Sequence, residues 1–297
     1  MSGYALVNGN NVFDLDNHYA YENWRDAKLE NYPEKAEELI VEINDPVQLT
    51  KAERDTVIER CKKSNMTIYI SKAGNNPDKR IASCFAKQFG LHTLDRNLGA
   101  DDDGITSLRV SSRRERYIPY TNKAIHWHTD GYYNELNQQI NALCLHCVRA
   151  AEEGGENALM DHEIAYIRLR DENPDYIRAL MSPRVMTIPA NINDGVQLRP
   201  DRTGPVFSVQ GNDRLHMRYT ERARNVIWDN DPVTISAVKA LEKMLHSGDP
   251  YIYRLTLQPG WGLISNNVLH DRSSFNDNKN SSRLLYRLRY FEGLDLS

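Results

Sequence analysis

Cysteine is scarce in this sequence, with four in 297 residues. That is too few to staple a chain of this length, so a disulfide scaffold is excluded. No apolar run approaches the ~18 residues that a membrane-spanning helix needs. The first residues, Met1 to Trp24, lack both a basic start and an apolar core, so a secretory signal is not expected. An excess of positive charge is missing too: the formal net charge is −4, which leaves no global field to attract nucleic acid or an anionic membrane. Internal repeats, low-complexity tracts and Gly/Ser linkers are absent, so no boundary divides the chain. What remains is the expectation of a cytoplasmic, globular protein. It is read as one domain over residues 1–297, with a helix-rich portion at about 1–100 integrated with the remainder.

Local patterns then place the elements. Thr50, followed three residues later by Glu53, reads as a capping box opening a helix over Leu49 to Lys63, with Val57, Ile58 and Cys61 at helical spacing behind it. Met66 to Ile70 is a short β-rich run, and Arg80 to Phe89 is helical again, ended by Gly90. From about residue 105 onward β-rich segments become frequent. Gln139 to Val148 is strand-like, while Ile164 to Leu169 and Val233 to Leu245 are helix candidates. Near the end, Tyr251 to Leu257 alternates, Pro259-Gly260 turns, Trp261 to Ser265 is strand-like and Asn266-Asn267 turns again. Arg283 to Phe291 is a strand with two unlike faces. Leu284, Tyr286, Leu288 and Tyr290 would pack on a helix layer, whereas Arg283, Leu285, Arg287 and Arg289 present guanidiniums towards something anionic. Many antiparallel strands with helices gathered early predict a mainly β, α+β fold, a jelly-roll barrel flanked by helices.

His128 and Asp130 stand two residues apart, so on an extended strand they point from the same face. His270, arriving from elsewhere in the fold, would complete two nitrogens and one oxygen around a metal. That set leaves three positions of an octahedron open, the arrangement of non-haem Fe(II) oxygenases. A His-x-Asp pair alone is a weak signal, because nine histidines and 41 acidic residues produce such spacing by chance. The aromatic-rich stretch Ala124 to Tyr133 sets this pair apart from an ordinary exposed loop. His126 shares the strand face and competes as a ligand; it is assigned to the pocket lining. Of Tyr132 and Tyr133, one should face the pocket and the other away, and the inward ring would suit a quaternary amine. Arg283 has a planar fork that matches a carboxylate. The chemistry therefore calls for iron at one end of a small keto acid and Arg283 at the other.

In order along the chain, His128-Thr-Asp130, Gly154-Gly155-Glu-Asn157, Asn266-Asn-Val-Leu-His-Asp-Arg272 and Ser282-Arg283-Leu resemble the taurine dioxygenase and γ-butyrobetaine hydroxylase superfamily (TauD/TfdA type). The likeness runs from about residue 50 to the C-terminus and is most specific across 124–163 and 260–291. It implies a double-stranded β-helix and Fe(II) bound by His128, Asp130 and His270. It also implies 2-oxoglutarate held by Arg283, with help from a basic residue near Arg287. Where many members carry a Gly-Gly-x-Thr hydroxyl for the cosubstrate, this chain has Asn157, a departure that retains a hydrogen-bonding side chain. The implied reaction consumes O2, converts 2-oxoglutarate to succinate and CO2, and hydroxylates a substrate, with the metal carrying the hard chemistry. The carboxylate at Asp130 argues against a halogenase. Sulfonates, betaines, aryloxy acids and amino-acid derivatives are all substrates of similar proteins, and desaturation or cleavage uses the same oxidant. The resemblance also admits a homo-oligomer.

Other signals carry less. Cys144 and Cys147 face opposite sides of a strand and read as packed core rather than a zinc pair. Asp161-His162 reads as a turn or cap before a helix starting near Glu163. The basic run Leu215 to Arg224 has Glu221, Asp229 and Asp231 close by and reads as a salt-bridged surface, although the resemblance brings Arg218 and Tyr219 towards the substrate. Two competing functions keep the metal pair without the oxygenase. One is a non-catalytic metal-binding jelly roll acting as sensor or carrier; the other is a hydrolase built on His126, His128 and His270, indifferent to 2-oxoglutarate and oxygen.

Overall fold

Thr50 and Glu53 cap each other as their spacing predicts: the Thr50 hydroxyl accepts from the Glu53 N–H, and the Glu53 carboxylate accepts from the Thr50 N–H at 2.7 Å. The helix they open, Lys51–Ser64, closes at Asn65 in the left-handed region (φ 56°) and leads into the strand Met66–Ser71. The computed structural model describes residues 11–96, 101–211, 214–222, 226–278 and 282–297. Of the basic run noted above, residues 223 and 224 lie outside these. Six α-helices occur among the described residues: His18–Leu29, Lys51–Ser64, Arg80–Lys87, His162–Glu172, Pro174–Leu180 and Pro232–His246. Helices are thus not gathered early, as the sequence pattern suggested; three of the six follow residue 160. None is long and apolar enough to cross a membrane.

Two sheets carry most of the strands. The larger has the spatial order Ile40–Ile43, Met66–Ser71, Trp261–Ser265, Ala142–Arg149, Leu284–Tyr290, Thr106–Leu108. Its first pair is parallel and the rest antiparallel. The smaller runs Tyr253–Leu255, Asn157–Met160, Leu269–Arg272, Ile125–His128, antiparallel throughout.

Side-chain alternation decides what each face meets. Leu284, Tyr286, Leu288 and Tyr290 join Ala142 and Cys144 against Val57, Ile58, Phe85 and Ala86 of the helix layer. Leu143, Leu145, Leu263 and Leu285 turn the other way, into a cluster shared with Trp127, Leu159 and Leu269 of the smaller sheet. Each fully buried Leu or Phe contributes about 1.5–3 kcal/mol, so this double-faced sheet anchors the architecture. The even face of the last strand meets helices, as its pattern predicts. Cys144 and Cys147 are buried on opposite faces and remain free thiols.

A further β region gave little signal beforehand. Met186–Ile188, Arg202–Gly204 and Ile227–Trp228 form a three-stranded sheet, and Asn191–Asn193 pairs with Val196–Arg199 as a hairpin turning at Asp194-Gly195. Short strands with mixed polarity carry weak periodicity, but this region walls the cavity described next.

Candidate metal centre

In the antiparallel ladder, His270 stands directly opposite His128. Cross-strand partners share a face, and the two imidazole centroids lie 4.2 Å apart. Each ring is fixed from behind. His128 Nδ1 lies 2.9 Å from the His126 carbonyl and His270 Nδ1 lies 2.9 Å from the Val268 carbonyl. A carbonyl only accepts, so each Nδ1 carries the proton and each Nε2 keeps its lone pair for a metal. Asp130 follows just after the strand. Its ligand atoms and those of the two histidines all lie within 4.8 Å of one another.

The loop holding Asp130 is closely determined. Asn267 accepts from the Asp130 N–H through Oδ1 at 2.8 Å and donates from Nδ2 to the carbonyls of Asp130 (2.9 Å) and Ile140 (2.8 Å). Gly131 turns the chain with φ 71°, and a Cβ there would meet Ile140 Cγ1 at 2.4 Å. That turn breaks the alternation expected for the next two residues. Tyr132 and Tyr133 therefore both line the cavity, rather than one in and one out.

Charge shapes the carboxylate as well. Burial alone would raise the Asp130 pKa, but Arg287 and Arg289 outweigh it and hold the group well below the usual carboxylate range. Arg287 Nη1 donates to Asp130 Oδ1 at 3.0 Å, and Arg289 Nη1 lies 3.7 Å from the same oxygen. The other oxygen, Oδ2, is buried with no partner. Burial, and then His270 beside it, lowers the His128 pKa to about 3. A carboxylate with a buried oxygen left without a partner, grouped with two imidazoles, is the donor chemistry of a divalent metal site, so these residues fit iron.

The last strand's odd face thus points at something anionic, and that something is first of all the Asp130 carboxylate. Arg289, which sequence reasoning left unassigned, also donates to the Tyr133 hydroxyl at 2.8 Å and pairs with Asp95. Arg287 lines the cavity beside Asp130. Arg283 precedes the strand and is buried. It sits with Arg272 about the Phe275 ring, their guanidinium carbons 5.1 and 4.8 Å from its centroid. Burial, and after it Arg283, lowers the Arg272 pKa to about 9. Neither arginine forms an ion pair among the described residues, so two buried guanidiniums stand without a carboxylate, the charge that a carboxylate would answer. Asn157 is more restricted than expected. Its Nδ2 donates to the Asp271 carbonyl at 2.9 Å, and the atom left without a partner is Oδ1. An acceptor suits a guanidinium better than a carboxylate.

Beside the triad opens a cavity of about 670 Å³. His126 lines it, exposed, with its ring nitrogen 4.0 Å from Glu221 and its carbonyl committed to His128. It is not drawn into the metal cluster, which removes the ligand set of the hydrolase alternative. Arg218 and Tyr219 correct an expectation, since neither lines the cavity. Arg218 is fully buried and donates to the backbone carbonyls of Tyr132, Met186, Gly204 and Arg202. Tyr219 packs beside Trp228, while its backbone N–H donates to the Thr129 hydroxyl. Six arginines do line the cavity: 114, 116, 199, 202, 222 and 287. Its three carboxylates, Asp95, Asp130 and Glu135, are each paired with arginine. A quaternary amine would be repelled here, so the cavity is matched to an anion.

Residues 28–289 match the family described as taurine catabolism dioxygenase TauD, TfdA family. The chain belongs to this family. The family's description is that of a dioxygenase, and Fe with alpha-ketoglutaric acid is held by the structurally similar oxygenase OrfP. A uridine-5'-phosphate dioxygenase of Amycolatopsis sp is 33% identical over 171 residues, 56% of this chain and 60% of that relative's length. A second, of Streptomyces sp, is 28% identical over 199 residues, covering 63% of this chain and 69% of the relative. Among solved structures, the non-heme iron oxygenase OrfP with Fe, succinate and (3R,4R)-dihydroxy-L-Arg superposes with a TM-score of 0.60 at 15% identity, over 82% of each chain. An asparagine oxygenase with Fe(II), 2S,3S-3-hydroxyasparagine and succinate gives 0.54 at 14%, over 82% of this chain and 80% of the other. At such identities the likeness to solved structures is one of fold.

Proposed function

We propose that this family member is an Fe(II)- and 2-oxoglutarate-dependent dioxygenase that hydroxylates a small anionic molecule of the nucleoside 5'-phosphate class. The observation that carries the reading is the convergence of His128, Asp130 and His270 beside an arginine-lined cavity. The fold belongs to the same reading, with the two sheets taken as the halves of a double-stranded β-helix. Bound iron and 2-oxoglutarate supply the oxidising power, the keto acid being decarboxylated to succinate and CO2. His128 and His270 offer Nε2 and Asp130 offers Oδ2, all from positions held by backbone hydrogen bonds. Arg283, with Arg272 behind it, draws the far carboxylate of the keto acid and fixes its direction. The cavity arginines draw the anionic substrate and orient it beside the metal, and the walls around Tyr132 and Tyr133 exclude water. The phosphate ester is chosen over other anions because both curated relatives are named for a nucleoside phosphate and because the cavity's positive charge exceeds what one carboxylate needs.

The reading is tested by succinate release from 2-oxoglutarate in the presence of Fe(II), oxygen and uridine 5'-monophosphate. We expect substrate-stimulated succinate, lost by at least 100-fold in His128→Ala. Full activity in that variant would overturn the assignment. A visible absorbance band on adding 2-oxoglutarate to the anaerobic Fe(II) protein separates an oxygenase from a metal sensor, which would give none.

A further inference from the structure

Across the cavity from the last strand, the wall formed by residues 186–204 brings two guanidiniums together. Arg199 is pinned by backbone alone, donating from Nη1 to the Pro200 carbonyl and from Nη2 to the Pro189 carbonyl, each at 2.6 Å. Carbonyls orient the group without neutralising it, and Arg199 forms no ion pair among the described residues. Its pKa is lowered, by burial first and then by Arg202. Arg202 donates from Nη2 to Glu135 at 2.7 Å, but that carboxylate is half exposed and so partly screened. The Arg202 Nε is buried and has no acceptor. Beneath both lies Arg218, whose charge is held only by carbonyls. Three cations thus answer to one weakly held carboxylate.

Their position relative to the metal ligands is given by one side chain. Tyr133 has the guanidinium carbon of Arg199 6.0 Å and that of Arg289 5.6 Å from its ring centroid, and Arg289 reaches towards Asp130. An anion at Arg199 therefore sits one aromatic ring away from the metal carboxylate. A carboxylate could occupy one fork. A phosphate dianion, with three terminal oxygens and two charges, can engage two forks at once.

We propose that Arg199 and Arg202 form the cradle for the substrate's phosphate, and that Glu135 occupies the Arg202 fork until the phosphate displaces it. As a substrate subsite this rests on the dioxygenase reading; as an anion site it does not. The experiment is therefore calorimetric binding of uridine 5'-monophosphate, uridine and inorganic phosphate to the metal-free protein. Wild type should bind the monophosphate at least 10-fold more tightly than uridine. Arg199→Met and Arg202→Met should each weaken the monophosphate by about 10- to 100-fold, the range for a hydrogen bond to a charged group, and leave uridine unchanged. Arg202→Lys should recover part of the loss, and Glu135→Gln should tighten the monophosphate. Unaltered monophosphate affinity in both Met variants, or an equal loss for uridine, would overturn the cradle. So would a wild type that neither prefers the monophosphate nor binds inorganic phosphate. If the Fe(II) and 2-oxoglutarate band never forms while phosphate discrimination holds, the oxygenase reading falls and the cradle stands. If succinate release is stimulated by the monophosphate yet both variants bind it normally, the reverse holds.

Discussion

Asn267 shows how a single side chain can set the geometry of the candidate metal site without joining its donor set. It ties the backbone of Asp130 to the turn that leads into His270, so the carboxylate and the distal histidine keep a fixed relation. Its own backbone is left-handed at φ 52°, which recommends glycine as the replacement, since glycine tolerates that conformation. We expect Asn267→Gly to retain the fold and to weaken Fe(II) binding by about 10- to 100-fold, the usual cost of losing a group that orients a metal ligand. Equilibrium metal titration, read beside a denaturation midpoint, checks this. Unchanged Fe(II) affinity would sink the positioning role. In the sequence, Asn266-Asn267 was legible as a turn and as part of a stretch that carries the family resemblance. Its amide's role was not, because the partner, Asp130, is 137 residues away.

At the scale of elements, the helix ends carry more than local caps. Asp161 caps His162–Glu172, as its place before a helix predicted, by accepting from the Glu163 N–H. It also accepts from Asn65 at the end of Lys51–Ser64 and from the Tyr32 hydroxyl, and forms a 2.8 Å ion pair with Lys28 of His18–Leu29. Lys28 is buried among Asp161, Glu163 and the Tyr32 ring, 5.8 Å from the ring centroid. One carboxylate thus joins three helices. Removing the cation leaves it buried and unpaired, so Lys28→Met should destabilise by about 3–5 kcal/mol, and adding Asp161→Asn should restore much of that. Chemical denaturation of the single and double variants measures both; a loss under 1 kcal/mol in the single variant would refute the argument. The capping box at Thr50 and the split faces of the last strand were readable because each depends on residues a few positions apart. The 186–228 β region was not, since its strands are two to four residues long and draw their stability from the neighbours they pack on.

For the whole molecule, two buried histidines outside the candidate metal site contribute to acid stability. His146 lies between the helix layer and the larger sheet, with Nδ1 2.9 Å from the Tyr69 hydroxyl, and His216 faces the Ile140 carbonyl. Burial lowers both pKa values from 6.5 to about 4. Such a histidine binds its proton more readily when unfolded, so its contribution is fully present above pH 6.5 and is lost as the pH falls through 4. We expect the urea midpoint to decline across that window, and His146→Gln to flatten the decline; a midpoint constant from pH 6.5 to 4 would contradict it. The sequence by itself determined the chemistry on offer: which residues could bind a metal, which strand carries arginine on one face and a core on the other, where helices begin. Those follow from side-chain type and from the periods of helix and strand, which are local. Only the tertiary structure decided what each group meets. Register across the ladder set His270 against His128, a glycine turn brought both tyrosines inward, and the arginines divided into those that hold Asp130, those buried with Phe275 and those left to face the cavity. Charges of one kind look alike in a sequence; burial and the distance to the nearest carboxylate are what tell them apart.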